Sequence, residues 1–151
     1  MANSQAIATS FKSEILKGIH ALGTTVVRAG TTADTIKGAL FLASASLGAG
    51  TTAYSTTGEA SGTGYSAGGV TVTNGNAPAT SGTTAYWTPS ASLSWSGLTL
   101  ASAVDAVLLY NSTQGDKAIG VFTFGSLTIT AGTLTIAFPV NDASTGLVRI
   151  A

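Results

Sequence analysis

Cysteine is absent from the 151 residues, so disulfides and thiolate metal sites are excluded and stability has to come from packing and hydrogen bonds. Charge is nearly as scarce: six Lys and Arg cancel six Asp and Glu, and charged residues make up 8% of the chain. Ordinary soluble domains carry about 25%. Without a basic excess there is no field to drive nucleic-acid binding through counterion release, and without net charge little repels a neighbouring copy. The composition suits a life inside an assembly, on a surface of Thr, Ser, Gly and Ala. Long apolar runs are missing too. A membrane helix needs roughly 18 apolar residues in a row, and the run from Ala39 to Ala45 is only strand length. The stretch Met1 to Thr9 is small and polar, unlike a secretory signal, so synthesis in the cytoplasm is expected. One histidine, His20, and six scattered carboxylates (Glu14, Asp34, Glu59, Asp105, Asp116, Asp142) form no recognisable ligand spacing, so no metal and no cofactor is expected.

What is present is β-pattern. Val104 to Tyr110, Ala118 to Phe124, Leu127 to Ile129 and Leu134 to Phe138 are apolar runs of strand length, rich in Val, Ile, Thr and aromatics and bounded by Gly, Asn and Asp. They read as consecutive antiparallel strands. Leu127 and Ile129, then Leu134, Ile136 and Phe138, alternate with Thr around a turn at Ala131-Gly132, giving one buried and one wet face. The expected fold is all-β: an antiparallel β-sandwich, jelly-roll-like, with one short N-terminal helix. Residues 1–9 are expected to form a flexible arm and 10–151 one domain of about eight or nine strands.

Along the chain, Phe11, Ile15, Leu16, Ile19 and Leu22 recur at helical spacing, with Ser10 as the cap and Gly23 as the stop. Thr24 to Arg28 and Asp34 to Leu42 read as strands. Ser44 to Gly69 is a surface excursion of small residues in which, Leu47 apart, Tyr54, Glu59 and Tyr65 are the only large side chains. Val70 to Val72 is a brief strand, Asn74-Gly75-Asn76 a turn expected at a hairpin tip, and Leu93 to Trp95 and Leu98 to Leu100 alternate again. Leu147 to Ile150 is a terminal edge strand.

Chemistry is thin. A catalytic His20 would need a nucleophile and an orienting carboxylate converging on it; the plainer reading is a partly exposed helix residue. Gly62-Thr63-Gly64 and Gly68-Gly69 lack the lysine and following helix of a phosphate loop, so they read as tightly turning backbone. Tyr86, Trp87 and Trp95 are candidates for a recognition surface, with core packing as the alternative. Asp105 is the odd charge in an apolar strand, facing solvent or pairing at an interface. Asn141-Asp142 reads as turn chemistry.

Several phrases taken together carry a resemblance: Ser10 to His20 (SFKSEILKGIH), Asp34 to Leu40 (DTIKGAL), Thr51 to Tyr54, Gly62 to Gly69 (GTGYSAGG), Leu109 to Thr113 (LYNST) and Phe138-Pro139. In this order they resemble small virion structural proteins of tailed bacteriophages, nearest to capsid cement or decoration proteins; Ser81 to Ser96 lies outside the likeness. The resemblance implies a non-enzymatic protein on the capsid exterior that bridges subunits of the major capsid protein and associates with copies of itself as a dimer or trimer, with no nucleic-acid or membrane partner. The residues expected to touch partners are Ala2, Asn3, Ser4 and Gln5 of the arm together with Tyr86, Trp87 and Trp95. Competing classes are a tail or fibre component, a glycan-binding module, and a hydrolase in which His20 meets a buried carboxylate and a hydroxyl.

Overall fold

The computed structural model describes residues 3–16, 18–24 and 32–150. In chain order they form β1 (Ala6–Ile7), α1 (Thr9–Leu16), β2 (Ile36–Leu42), β3 (Gly62–Thr63), β4 (Val70–Thr71), β5 (Ala79–Ser81), β6 (Thr84–Trp87), β7 (Leu93–Leu100), β8 (Val104–Asn111), β9 (Lys117–Leu127), β10 (Gly132–Ile136) and β11 (Val148–Ile150). The fold is all-β, with antiparallel pairing throughout. Its sheets run β1-β9-β8-β2-β4, β10-β7-β3 and β11-β6-β5. Among the described residues, no helix is long and apolar enough to cross a membrane.

The sandwich is organised by one folded ribbon. β8 pairs with β9 from Asn111↔Lys117 to Val104↔Leu127, and the same two segments then go on pairing as β7 with β10, from Leu98↔Gly132 to Leu93↔Ile136. Leu100 N–H donates to the Ile129 carbonyl at 2.9 Å across the fold-over. The ribbon's halves therefore lie in different sheets, the winding that underlies a jelly roll. β2 joins β8 in the larger sheet, and Leu93 of β7 presses on it at Gly38, where a Cβ would collide with the leucine side chain. β8 is buried on both faces. Val107 and Leu109 line the space between the sheets beside Gly38, while Tyr110, on the other face, is covered by the excursion after β2.

Four expectations are corrected. The hairpin of Leu127–Ile129 with Leu134–Phe138 does not form: Ala131, at φ 48°, donates its N–H to Thr99 Oγ1 (2.9 Å) and turns the chain onto β7. The described part of the arm is docked, because β1 extends the larger sheet (Ala6↔Val121, Ile7↔Gly120) and Asn3 is stapled to Leu42, Leu47 and Asp105. The helix stops at Leu16 rather than Leu22. Gly18, at φ 67°, donates to the Ile15 carbonyl and Ile19 N–H to the Glu14 carbonyl, the paired bonds of a Schellman cap. Asn74 is not a hairpin tip, since β4 pairs with β2; its side chain instead binds both the N–H and the carbonyl of Gly23, each at 2.8 Å. The strand expected at Thr24 to Arg28 falls, beyond Thr24, outside the described residues.

Candidate functional site

Ending the helix at Gly18 lets the chain double back, and this places His20 in a buried polar cluster. Its Nε2 lies 2.8 Å from Glu14 Oε2 and its Nδ1 3.0 Å from Asn111 Nδ2. Asn111, fully buried at the end of β8, donates from the same amide nitrogen to Asp34 Oδ2 (2.8 Å), while its Oδ1 accepts from Gln114 N–H (3.2 Å). The amide is thus oriented as a donor toward His20, so Nδ1 accepts and Nε2–H donates to Glu14; the ring is in one defined tautomer. Asp34 also accepts from Ala21 N–H (2.7 Å) and Gln114 Nε2 (3.1 Å), and Lys117 Nζ reaches Glu14 Oε1 at 2.9 Å. Burial pushes the Glu14 carboxyl up, but the hydrogen bonds from His20 and Lys117 and the lysine charge outweigh it and hold the group below its ordinary value. The His20 side chain is buried, and Phe11 meets its ring edge-on at 4.7 Å. The partly exposed helical histidine of the sequence reading is therefore corrected. His20 meets one buried carboxylate directly and another through Asn111, yet no hydroxyl is among its hydrogen-bond partners, and neither ring nitrogen is left for a substrate.

A second cluster organises the excursion after β2. The three large side chains picked out there converge: Glu59 accepts from the hydroxyls of Tyr54 (2.6 Å) and Tyr65 (2.7 Å) and from Gly68 N–H (2.7 Å). Tyr110 of β8 donates to the Gly68 carbonyl (2.8 Å) and stacks on Tyr54 with ring centroids 4.6 Å apart. Burial, and next the hydrogen bond to Glu59, pushes the Tyr54 and Tyr65 hydroxyls upward. Burial, helped by the charges of Asp116 and Glu59, takes Tyr110 to about 12. Gly68 and Gly69 belong to this scaffold, for a Cβ on Gly69 would strike the Gly38 carbonyl.

His20 also lines an apolar groove of about 210 Å³, together with Ile15, Leu22, Tyr86, Trp87, Val148 and Ile150. Of the aromatics expected on a partner surface only Tyr86 is half-buried. Trp87 and Trp95 are buried at 2% and 3% exposure, which corrects their reading as contacts: their rings fill the core. Trp87 Nε1 donates to the Asn76 carbonyl (3.0 Å), whereas Trp95 Nε1 has no partner. Asn3 and Ser4 bind their own chain, Gln5 Oε1 accepts from Thr123 Oγ1 (3.4 Å), and Ala2 lies outside the described residues. Asp105 pairs with Asn3, and Asp142 Oδ1 accepts from Ser144 and Thr145 N–H, the turn chemistry expected of it. Among the described residues no three His, Asp or Glu side chains are grouped to hold a metal ion.

Asn111 and Gln114 were missed as site residues, although a polar side chain closing an otherwise apolar strand was a usable signal. Comparison with protein-family models, with curated proteins and with solved structures finds no match.

Proposed function

We propose that the chain is a structural subunit of a bacteriophage particle, one that decorates the capsid and stabilises it by bridging subunits of the major capsid protein. The observation that carries this reading is that the polar groups a reaction would use are consumed by the fold: His20 is bonded at both nitrogens, and Glu59 accepts three donors from its own loop. A neutral, charge-poor surface and the resemblance to virion structural proteins supply the direction. Bridging makes each further contact effectively intramolecular, so modest patches suffice, and binding the assembled shell but not its parts stabilises the shell by mass action. With the arm docked, attachment falls to exposed apolar residues such as Val140 and Ile150, at 71% and 51% exposure. Burial of Trp87 and Trp95 removes the aromatic platform that a glycan-binding module would present. The test is a titration of undecorated particles with the purified chain. Saturation at many copies, in simple proportion to the major capsid protein, supports the reading; no binding, or a few copies confined to a vertex or tail, overturns it.

A further inference from the structure

Of the five asparagines only Asn74 precedes a glycine, and both residues are hydrogen-bonded into the fold. The Asn74 amide is the clamp on Gly23, Oδ1 accepting from its N–H and Nδ2 donating to its carbonyl. At position 75 a Cβ would meet Ser90 Oγ, so a side chain there would push the serine hydroxyl aside. An asparagine followed by glycine is the pairing most open to intramolecular attack, because no side chain shields the glycine nitrogen. In that reaction the Gly75 nitrogen gives its proton to solvent base and attacks Asn74 Cγ. The new C–N bond closes a succinimide, the carboxamide nitrogen leaves as ammonia, and water opens the ring to aspartate or isoaspartate.

We propose that Asn74-Gly75 is a deamidation site that the native fold holds shut. Both reacting groups are occupied. The Asn74 side chain is turned onto Gly23, and Gly75 N–H donates to Ser90 Oγ (2.9 Å), whose own hydroxyl donates to the Thr73 carbonyl (3.0 Å). Opening of this corner frees the nitrogen and the amide at once. The product cannot re-form the clamp, because a carboxylate oxygen then faces the Gly23 carbonyl where Nδ2 had donated. Each opening long enough to react is thereby recorded in the covalent structure, and the recorded molecules hold residues 18–24 less firmly.

The experiment incubates the full chain in mildly alkaline buffer, folded and in urea, and follows Asn74 by peptide mapping. Slow loss in the folded chain and fast loss in urea is the expected result; equal rates overturn the proposal. Ser90→Ala, if it folds, accelerates loss in the folded state about five-fold, equivalent to about 1 kcal/mol at 1.4 kcal/mol per factor of ten, and Ser90→Thr restores protection. An unchanged rate in Ser90→Ala refutes the guarding role. The deamidated fraction, separated by charge, melts below the unmodified chain; an identical Tm refutes the consequence drawn for the clamp.

Discussion

Replacing Glu59 by Ala strips three donors of their acceptor in one step: the Tyr54 and Tyr65 hydroxyls and Gly68 N–H. Hydrogen bonds to a charged group contribute about 1.5–3 kcal/mol each, so the gross loss is on the order of 4.5–9 kcal/mol. Not all of it survives the discount for context. Glu59 is half-buried, so water can reach the Tyr54 side, whereas Gly68 is buried and its N–H finds no substitute. A net loss of about 3 kcal/mol is expected, a large share of the roughly 5–15 kcal/mol that holds a domain. Glu59→Gln keeps one acceptor oxygen, and the Tyr54 hydroxyl can turn to accept from the new amide; about 1 kcal/mol is expected there. Urea unfolding of the three chains measures the order wild type, Gln, Ala. Limited proteolysis between residues 43 and 69 reports whether the excursion opens first, as its dependence on one carboxylate implies. A Glu59→Ala midpoint within about 0.5 kcal/mol of wild type, the range of an ordinary surface substitution, would refute the argument.

Four other outcomes follow from named contacts. Tyr110 has a folded-state value raised from 10.0 to about 12, so its contribution is complete below the unfolded value and is lost as pH rises through that window; Tyr110→Phe should flatten the alkaline limb of a stability curve measured by urea titration. Glu14 is depressed, so its contribution is present above the ordinary value of 4.5 and is lost as pH falls through the folded one; an equally steep acid limb in Glu14→Gln would count against the cluster. Gly38→Ala drives a methyl into Leu93 and should cost about 1–3 kcal/mol in chemical unfolding, more than a surface Gly→Ala change. A chain beginning at Ser10 loses β1 and the Asn3 staple, so its Tm should fall by on the order of 5 °C in a calorimetric scan; an unchanged Tm would return residues 3–8 to the status of a free arm.

Strand chemistry was legible wherever a strand has its own apolar pattern. Asp34 to Leu42 and Val104 to Tyr110 stand almost where their alternation put them, as β2 and β8. Pairing was less so, because alternation says which face a residue takes but not which strand it meets. Leu134 and Ile136 look like the partners of Leu127 and Ile129 by proximity, yet the folded ribbon hands them to β7. Short strands with little apolar content, such as Gly62–Thr63 and Ala79–Ser81, leave no periodic trace; they exist because a longer neighbour offers an edge. Gly18 was not legible as the end of the helix, since helical spacing at Ile19 and Leu22 persists by chance beyond the cap and drew the stop to Gly23. The Glu59 cluster was half legible: three large side chains in a field of small ones invited attention, but their convergence needed the turns at Gly58, Gly64 and Gly68, all at positive φ. The His20 cluster was not legible, because Asp34 just precedes β2 and Asn111 closes β8, far apart in sequence, and they meet only once those strands pair in antiparallel register.

The use made of so few charges bears on association. Five of the six carboxylates, Glu14, Asp34, Glu59, Asp105 and Asp142, accept hydrogen bonds from side chains or N–H groups of their own chain. Lys117 and Arg149 likewise bond within their own chain, to Glu14 and the Ser144 carbonyl. These charges therefore act as internal fasteners for loops and ends that the strands do not hold. Among the described residues what faces outward is mostly hydroxyls, small side chains and a few apolar residues, a surface whose contacts depend largely on shape and hydrogen bonding. Ionic screening acts on such contacts only weakly, since the Debye length matters only where uncompensated charges face each other. A neutral chain built this way meets little net electrostatic repulsion from another copy, and any partner it keeps would have to be held by close fit.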